Sequence, residues 1–178
     1  MIEMPDVRKP DVIIAIDPDV TKSGVCSLRP KTMELTFGAI DFPNVIETIR
    51  ATKESLTGTG TMVVVVEAGW MHKSNWHLMM KDSKSQAARK GYDVGRNHET
   101  GHKIVEVCKF LGVRVVEHIP LVKRWRGKDG KITHEELAYF TGITKRTNQD
   151  ERDAILLAWH YAALPIRINV RKPRTRFC

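Results

Sequence analysis

Cysteines are scarce in this sequence, and long apolar runs are absent. Only 3 of 178 residues are cysteine. Cys26, Cys108 and Cys178 are widely spaced and form no C-x-x-C pair, so we expect free thiols in a reducing compartment. The longest apolar runs, at 13–16 and 62–66, are too short to span a bilayer, and the amino terminus lacks the basic and apolar regions of a secretory signal. These absences predict a cytoplasmic protein.

Acidic residues are outnumbered by basic ones, but only locally. The chain has 29 Lys and Arg against 21 Asp and Glu, a net charge of +8. The segments 166–178 and 123–131 each contain five bases, with no acid in the first and one in the second, so the remainder is close to neutral. Localised positive charge suits phosphate contacts, because each neutralised phosphate releases counterions. This indicates a polyanionic partner, although 166–178 could equally be a solvated tail that only aids solubility.

The overall composition is that of an ordinary globular protein. With 42% hydrophobic and 28% charged residues over 178 positions, the chain can bury a core without disulfides or a structural metal. We expect one domain over 1–165 and a basic tail over 166–178.

Apolar runs and helical spacings predict the order of the elements. The runs 11–17 and 62–67 are nearly continuous and rich in β-branched residues, which is typical of strands buried on both faces. Because a predicted helix at 44–56 separates them, they should be parallel neighbours. Two further strands should complete an antiparallel meander with the first, at 25–29 and 33–41. The later predictions are an irregular segment of loops with some helix at 68–95, a helix from about 99 to 111, a strand at 113–118, and capped helices at 134–141 and 149–163. This order indicates an α/β domain with a mixed five-stranded sheet and helices on both faces.

Four carboxylates stand where a fold alone would not require them. Asp17 and Glu67 end the two most apolar strands, where an ionised group is costly unless it is paired or binds metal. Asp150 and Asp153 are three residues apart on one face of the last helix. Taken singly, a turn, an exposed strand end or a helix dipole would explain each of them. Since the carboxyl ends of parallel strands meet at one sheet edge, we expect the four to lie together there.

Such a cluster predicts a metal site. Carboxylates that repel one another need cations, and their hard oxygen atoms favour Mg²⁺ or Mn²⁺. Two such ions can stabilise the attacking and leaving oxygens of a phosphodiester displacement. Together with the basic segments, the acids therefore point to a nuclease.

Three motifs resemble the RuvC family of Holliday-junction resolvases, within the ribonuclease-H-like (retroviral integrase) superfamily. They are I-A-I-D-P-D-V-T-K-S-G-V at 14–25, V-V-V-E at 64–67 and N-Q-D-E-R-D-A-I-L-L-A-W-H at 148–160. The resemblance implies a ribonuclease-H-like fold in which Asp17, Glu67, Asp150 and Asp153 are catalytic and bind metal, with His160 as a further ligand. It implies about two Mg²⁺ ions per site, for which Mn²⁺ can substitute.

The resemblance also implies contacts to DNA and a second subunit. W-M-H-K at 70–73 is similar to the family's F-M-A-K, whose aromatic residue stacks on bases at the crossover. L-V-K at 121–123 supplies a phosphate-binding lysine, and H-E-T-G at 98–101 opens a helix similar to the family's dimer-forming helix. The expected DNA-binding residues are Trp70, Lys73, Lys123, Arg124, Arg126 and Lys131.

The resulting expectation is a bacterial or phage-encoded crossover junction endodeoxyribonuclease of DNA recombination and repair. It would be a homodimer that makes paired nicks at four-way junctions, without a membrane or a small-molecule cofactor. Asp19 stands where the family has glycine. The segment 74–95 is longer than expected, and together with the basic tail it leaves sequence preference open. The alternatives are a ribonuclease H-type or other branched-DNA nuclease of the same fold, and a non-catalytic junction-binding protein.

Overall fold

A five-stranded mixed sheet of order β3-β2-β1-β4-β5 forms the centre of the protein in a computed structural model, which describes residues 9–56, 58–72 and 83–167. The strands are β1 (Val12–Asp17), β2 (Ser23–Arg29), β3 (Glu34–Ile40), β4 (Met62–Glu67) and β5 (Val115–His118). The helices are α1 (Phe42–Ser55), α2 (Lys84–Phe110), α3 (His134–Thr141) and α4 (Gln149–Tyr161), with short 3₁₀ turns at Gly69–Met71 and Lys128–Gly130.

The strand pairing confirms the predicted meander and crossover. Strands β1, β2 and β3 are antiparallel neighbours, whereas β4 lies parallel to β1 on its other side and β5 continues parallel to β4. Ile16 of β1 is in register with Val66 of β4. Consequently Asp17 and Glu67, one residue further on, end neighbouring strands at the same sheet edge.

Alternating side chains of the central strands build two separate cores. Ile13 and Ala15 pack with Val63 and Val65 beneath α4, while the intervening residues of both strands pack against α1 and α2. Because both faces are covered, the strands read as continuous apolar runs rather than as alternating ones. The predicted α/β class, with helices on both faces of the sheet, is confirmed.

The two described cysteines belong to these cores. Cys26 and Cys108 are buried free thiols, and burial raises their pKa to about 12 and about 11. The expectation of free thiols is confirmed for these two, and Cys178 lies outside the described residues.

Helix α2 corrects the predicted start of a helix at about residue 99, because it already covers 84–95, where mostly loops were expected. It spans 27 residues and begins at a capping box in which Ser83 and Gln86 each bond the other's backbone N–H. The box was visible as S-K-S-Q, but the first half of the helix is largely exposed and has no apolar stripe to reveal it. The H-E-T-G motif therefore lies in the middle of α2 and does not open it. In the described ranges no helix is long and apolar enough to cross a bilayer.

Candidate active site

Two of the candidate acids project from neighbouring strand ends to one face of the sheet. Asp17 follows the inward positions Ile13 and Ala15, and Glu67 follows Val63 and Val65, so strand alternation directs both carboxylates to the α4 side. Both side chains are partly buried. The pairing of β1 with β4 is thus sufficient to place two carboxylates at one edge of the sheet.

Gly24 lets the start of α4 approach this edge. Gly24 is the cross-strand partner of Asp17, and a Cβ atom placed on it would lie 2.0 Å from the carbonyl oxygen of Asp150. No side chain fits in that space, so the first turn of α4 rests directly on the backbone of β2. The helix begins at a capping box between Asn148 and Glu151, as predicted. The predicted strand began at residue 25, so Gly24 lay outside it and the contact was not identified from the sequence.

We predict that Gly24→Ala displaces α4 and lowers both stability and any activity of the site. Overpacking of this kind costs about 1–3 kcal/mol. The matched control is Gly38→Ala on β3, where the nearest atom to an added Cβ is 3.9 Å away. Urea unfolding should show a lower midpoint for Gly24→Ala than for Gly38→Ala. Equal midpoints would contradict the steric role of Gly24.

The four acids interact strongly through their charges. Burial, followed by the charges of Glu67, Asp153 and Asp150, raises the pKa of Asp17 well above its ordinary value. Burial and then Asp153 raise the pKa of Glu67 to about 7, against the opposing effect of nearby lysines. The pKa of Asp150 is raised by burial first and then by Asp19. The predicted convergence of carboxylates from three distant segments is therefore present in the structure.

Lys131 supplies a counter-charge to the cluster. Its Nζ lies 2.9 Å from Oδ2 of Asp153, and the amide of Gln149 donates to the other oxygen at 2.7 Å. Burial lowers the pKa of Lys131, but the Asp153 hydrogen bond and the charges of Asp153, Asp17 and Asp150 outweigh it, so the pKa is raised. Lys131 was expected to contact DNA, whereas here it pairs with a candidate metal ligand. Gln149 was not identified from the sequence.

The donor set suits a hard divalent cation. Among the described residues, Lys131 pairs with one of the four carboxylates and the charge of Lys123 acts on Glu67, so the negative charge of the cluster is only partly neutralised. Within the described ranges, no group of three or more His, Cys, Asp or Glu side chains is arranged to hold a metal as it stands. Both oxygens of Asp153 accept hydrogen bonds, one from Lys131 and one from Gln149. Oxygen-only ligands of this charge fit Mg²⁺ or Mn²⁺.

An open cleft of about 580 Å³ adjoins the acids. Asp17 and Glu67 lie on its wall, α2 contributes Asn97 and His98, and Lys123 stands at its rim. A smaller cavity of about 90 Å³ beside it reaches Asp153 and Lys131. A chain of phosphates in the larger cleft would thus pass both the carboxylates and a lysine.

Trp70 lines the cleft but is also tied into the fold. Its Nε1 donates to Glu117 at 3.1 Å, and its ring lies 4.2 Å from the His102 ring, centroid to centroid. Gly101 permits this contact, because a Cβ there would lie 2.4 Å from the indole ring. One side of Trp70 is therefore committed to α2, and base stacking by the rest of the ring stays a prediction.

The remaining basic candidates follow β5. Lys123 and Arg124 are exposed, and Lys123 lines both cavities. Arg126 is also exposed, but its backbone N–H and guanidinium face Glu136. Lys73 lies outside the described residues, as does the segment 168–178 of the basic tail. The structure thus brings Lys123 and Lys131, rather than the whole basic set, next to the acids.

His160 lies further along α4. Its ring packs edge to face against the His118 ring at 5.6 Å. Burial lowers the pKa of His160, with contributions from His118 and Arg124. Seven residues separate it from Asp153, or about 10 Å along a helix. A metal-binding role for His160 stays a prediction.

The strand order, in which β1, β2 and β3 are antiparallel and β4 and β5 are parallel to β1, is that of a ribonuclease-H-like α/β fold. Similar solved structures are T. thermophilus RuvC in complex with Holliday junction substrate (13% identity over 85% of this chain and 92% of that chain, TM-score 0.49) and Thermus thermophilus RuvC (17% identity, 85% and 93%, TM-score 0.43). The catalytic core domain of BIV integrase is also similar (13% identity, 83% and 78%, TM-score 0.31). No protein-family model and no curated protein matches the chain. At these identities the similarity concerns the fold alone.

Proposed function

We propose that the protein is a divalent-metal-dependent endonuclease that cuts four-way DNA junctions. The carrying observation is the charge-coupled set Asp17, Glu67, Asp150 and Asp153 at one sheet edge, beside an open cleft with Lys123 at its rim. The charges of Glu67, Asp153 and Asp150 raise the pKa of Asp17, which is unfavourable for folding at neutral pH, and a role in binding cations would explain their convergence. The choice of a junction as substrate rests on the three RuvC-like sequence motifs.

In this proposal Asp17, Glu67, Asp150 and Asp153 hold about two Mg²⁺ or Mn²⁺ ions, with His160 as a further candidate ligand. Bound there, the ions would supply Lewis acidity and neutralise charge that develops on the phosphate. Lys123 orients the phosphate from the cleft rim, and Arg124, Arg126 and Lys73 are candidates for contacts further along the DNA. Lys131 and Gln149 hold Asp153 in place through both of its oxygens.

Paired nicks require two such sites. A homodimer with two-fold symmetry would present two equivalent clefts to the two equivalent strands of a junction. The proposal accordingly includes dimerisation, and it places the protein in the cytoplasm of a bacterium or of a phage-infected cell.

The experiment is a comparison of substrates of the same sequence: a synthetic four-way junction, a linear duplex and an RNA–DNA hybrid. With Mg²⁺ we expect the junction to be cut in preference to both of the others, and EDTA should prevent cutting. A cruciform plasmid should be converted to linear DNA rather than to a nicked circle, because a dimer cuts both strands in one binding event.

The other outcomes each contradict the proposal. Preferential cutting of the hybrid would indicate a ribonuclease H-type enzyme. Tight junction binding without metal-dependent turnover would indicate a non-catalytic binding protein. Cutting that persists in EDTA would exclude the metal mechanism.

A further inference from the structure

A side-chain amide on α2 holds the turn that follows the Asp17 strand. Oδ1 of Asn97 accepts a hydrogen bond from the backbone N–H of Val20 at 3.0 Å, and its Nδ2 donates to Oδ2 of Asp19 at 3.2 Å. The other oxygen of Asp19 accepts from the N–H of Thr21 at 2.8 Å. Asn97 is 77 residues from Val20 in sequence, so this contact ties two distant segments together.

Helix α2 makes a second contact with this turn, one helical turn after Asn97. Gly101 lies four residues after Asn97, on the same face of α2. A Cβ on Gly101 would lie 3.2 Å from Cγ of Pro18 and 2.4 Å from the Trp70 ring. Since Pro18 directly follows Asp17, the face of α2 that carries Asn97 and Gly101 packs against the side chain of the first residue after β1.

Asp19 is a fifth acid near the site, and its hydrogen bonds determine whether it is available as a metal ligand. Asp19 is close enough to Asp150 for its charge to act on that group. Its two oxygens are nevertheless directed to the Thr21 N–H and to Asn97. A carboxylate bonded in this way is held in the turn and is not offered as a fifth metal ligand.

We propose that Asn97 is a positioning residue, which fixes the Pro18–Lys22 turn and keeps Asp19 bound within it, so that Asp17 faces the cation site in a single orientation. This inference rests on the proposed function, because the orientation of Asp17 has consequences only if Asp17 binds cations. Asn97 itself contacts the turn and not the reacting atoms. Its effect on cleavage is therefore exerted through Asp17.

The first test needs no activity. Amide hydrogen exchange of the metal-free protein, followed by NMR, should show exchange at Val20 that is about fivefold or more faster in Asn97→Ala than in wild type, since one hydrogen bond protects that N–H. The matched control is Asn44→Ala, which removes an Asn–Asp contact of 2.7 Å at the start of α1. The control should leave exchange at Val20 unchanged. Equal exchange at Val20 in Asn97→Ala and wild type would overturn the proposal.

The second test is a charge exchange across the same contact. Asn97→Asp places two carboxylates face to face and should lower the junction-cleavage rate at saturating substrate by about 10- to 100-fold, because a small displacement of a reacting group has effects of this size. The KM for the junction should stay near that of wild type. Adding Asp19→Asn to Asn97→Asp restores a donor opposite an acceptor and preserves acceptors for the Val20 and Thr21 amides. The double variant should recover to within about threefold of wild type, as expected for directly coupled residues.

Comparing cleavage by wild type and by these variants distinguishes a failure of the Asn97 proposal from a failure of the proposed function. Asn44→Asp makes the same change of charge outside the cleft and should cut at the wild-type rate. If wild type cuts junctions and Asn97→Asp cuts equally well, the positioning role is wrong while the nuclease stands. A double variant no better than Asn97→Asp alone would also overturn the role. If wild type cuts no junction, the proposed function fails, and the exchange of the Val20 amide still decides whether the turn is held.

Discussion

Asp17→Asn is expected to abolish DNA cleavage and, in the absence of metal, to make the protein more resistant to heat. Burial and three neighbouring acids raise the pKa of Asp17 well above its ordinary value, so its ionised form opposes folding at neutral pH. Asparagine has nearly the same shape but no charge, and it removes this penalty. It also removes an anionic ligand from the cation site, for which we expect a rate loss of at least about 100- to 1,000-fold.

The two halves of this prediction are measured separately. Thermal unfolding in EDTA at pH 8 should show a midpoint a few degrees above that of wild type, since about 1 kcal/mol moves the midpoint of a domain of this size by about 2–4 °C. The matched control is Asp93→Asn, which removes an exposed carboxylate from the first half of α2. The control should change neither the midpoint nor cleavage appreciably. A lower midpoint for Asp17→Asn, or cleavage at the wild-type rate, would contradict the assignment of Asp17.

The central sheet was predictable because local patterns and topology agree there. Two continuous β-branched runs separated by a helical segment leave few arrangements other than parallel neighbours, and an acid at the end of each run must then reach the same edge. The start of α4 was predictable for a similar reason, because the capping box of Asn148 and Glu151 is a local signal. These short-range signals were enough to bring Asp17, Glu67, Asp150 and Asp153 together.

The surroundings of the acids depend on contacts that no local pattern encodes. Lys131 lies 22 residues before Asp153, and its ion pair follows from how the loop before α3 folds back over α4. Read alone, the basic segment indicated DNA contacts for Lys131. Gly24 was placed in the turn before the second strand, and nothing in the sequence indicated that the Asp150 carbonyl approaches it. Such roles are set by the packing of α4 on β2.

The length of helix α2 was underestimated because its first half has no apolar face. Residues 84–95 lie largely exposed, so hydrophobic periodicity gave no signal, and their polar composition indicated mostly loops. The cap at Ser83 and continuity with the buried turns around Ile104 keep this part helical. The role of Asn97 was not identified either, because its hydrogen bond to the Val20 N–H forms only when α2 lies beside the turn after β1.

The metal-free protein is expected to lose stability as the pH rises from 5 to 8. Burial, followed by the charge of Asp153, raises the pKa of Glu67 from 4.5 to about 7 in the folded state. Below 4.5 both folded and unfolded chains hold the proton, so there is no penalty. Between 4.5 and 7 the unfolded chain ionises first and is favoured, and above 7 the full penalty applies. For Glu67 this amounts to the order of 3 kcal/mol, and Asp17 acts in the same direction.

Other titratable groups also change the stability over this pH range, so the effect of Glu67 must be measured as a difference between wild type and a Glu67 variant. Burial lowers the pKa of His98 and His160, which therefore reduce stability as the pH falls below about 6.5 and oppose the effect of Glu67. Asp11, with its pKa lowered to about 2 by Lys31, is already ionised throughout this range. Chemical unfolding of wild type and Glu67→Gln should thus be compared at each pH. We expect the stability advantage of Glu67→Gln to grow from pH 5 to pH 8.

Divalent cations should reverse this loss, because they bind the ionised carboxylates of the folded state and add stability by mass action. The rise in unfolding midpoint on adding Mg²⁺ should therefore be small at pH 5 and large at pH 8, and smaller in Glu67→Gln than in wild type at pH 8. A Mg²⁺ effect that is equal at both pH values, or equal in the two proteins, would mean that the cation does not bind at these acids. The expected result would instead show that folding and cation binding are linked through the same carboxylates, since the repulsion that weakens the metal-free sheet edge is what a bound cation removes.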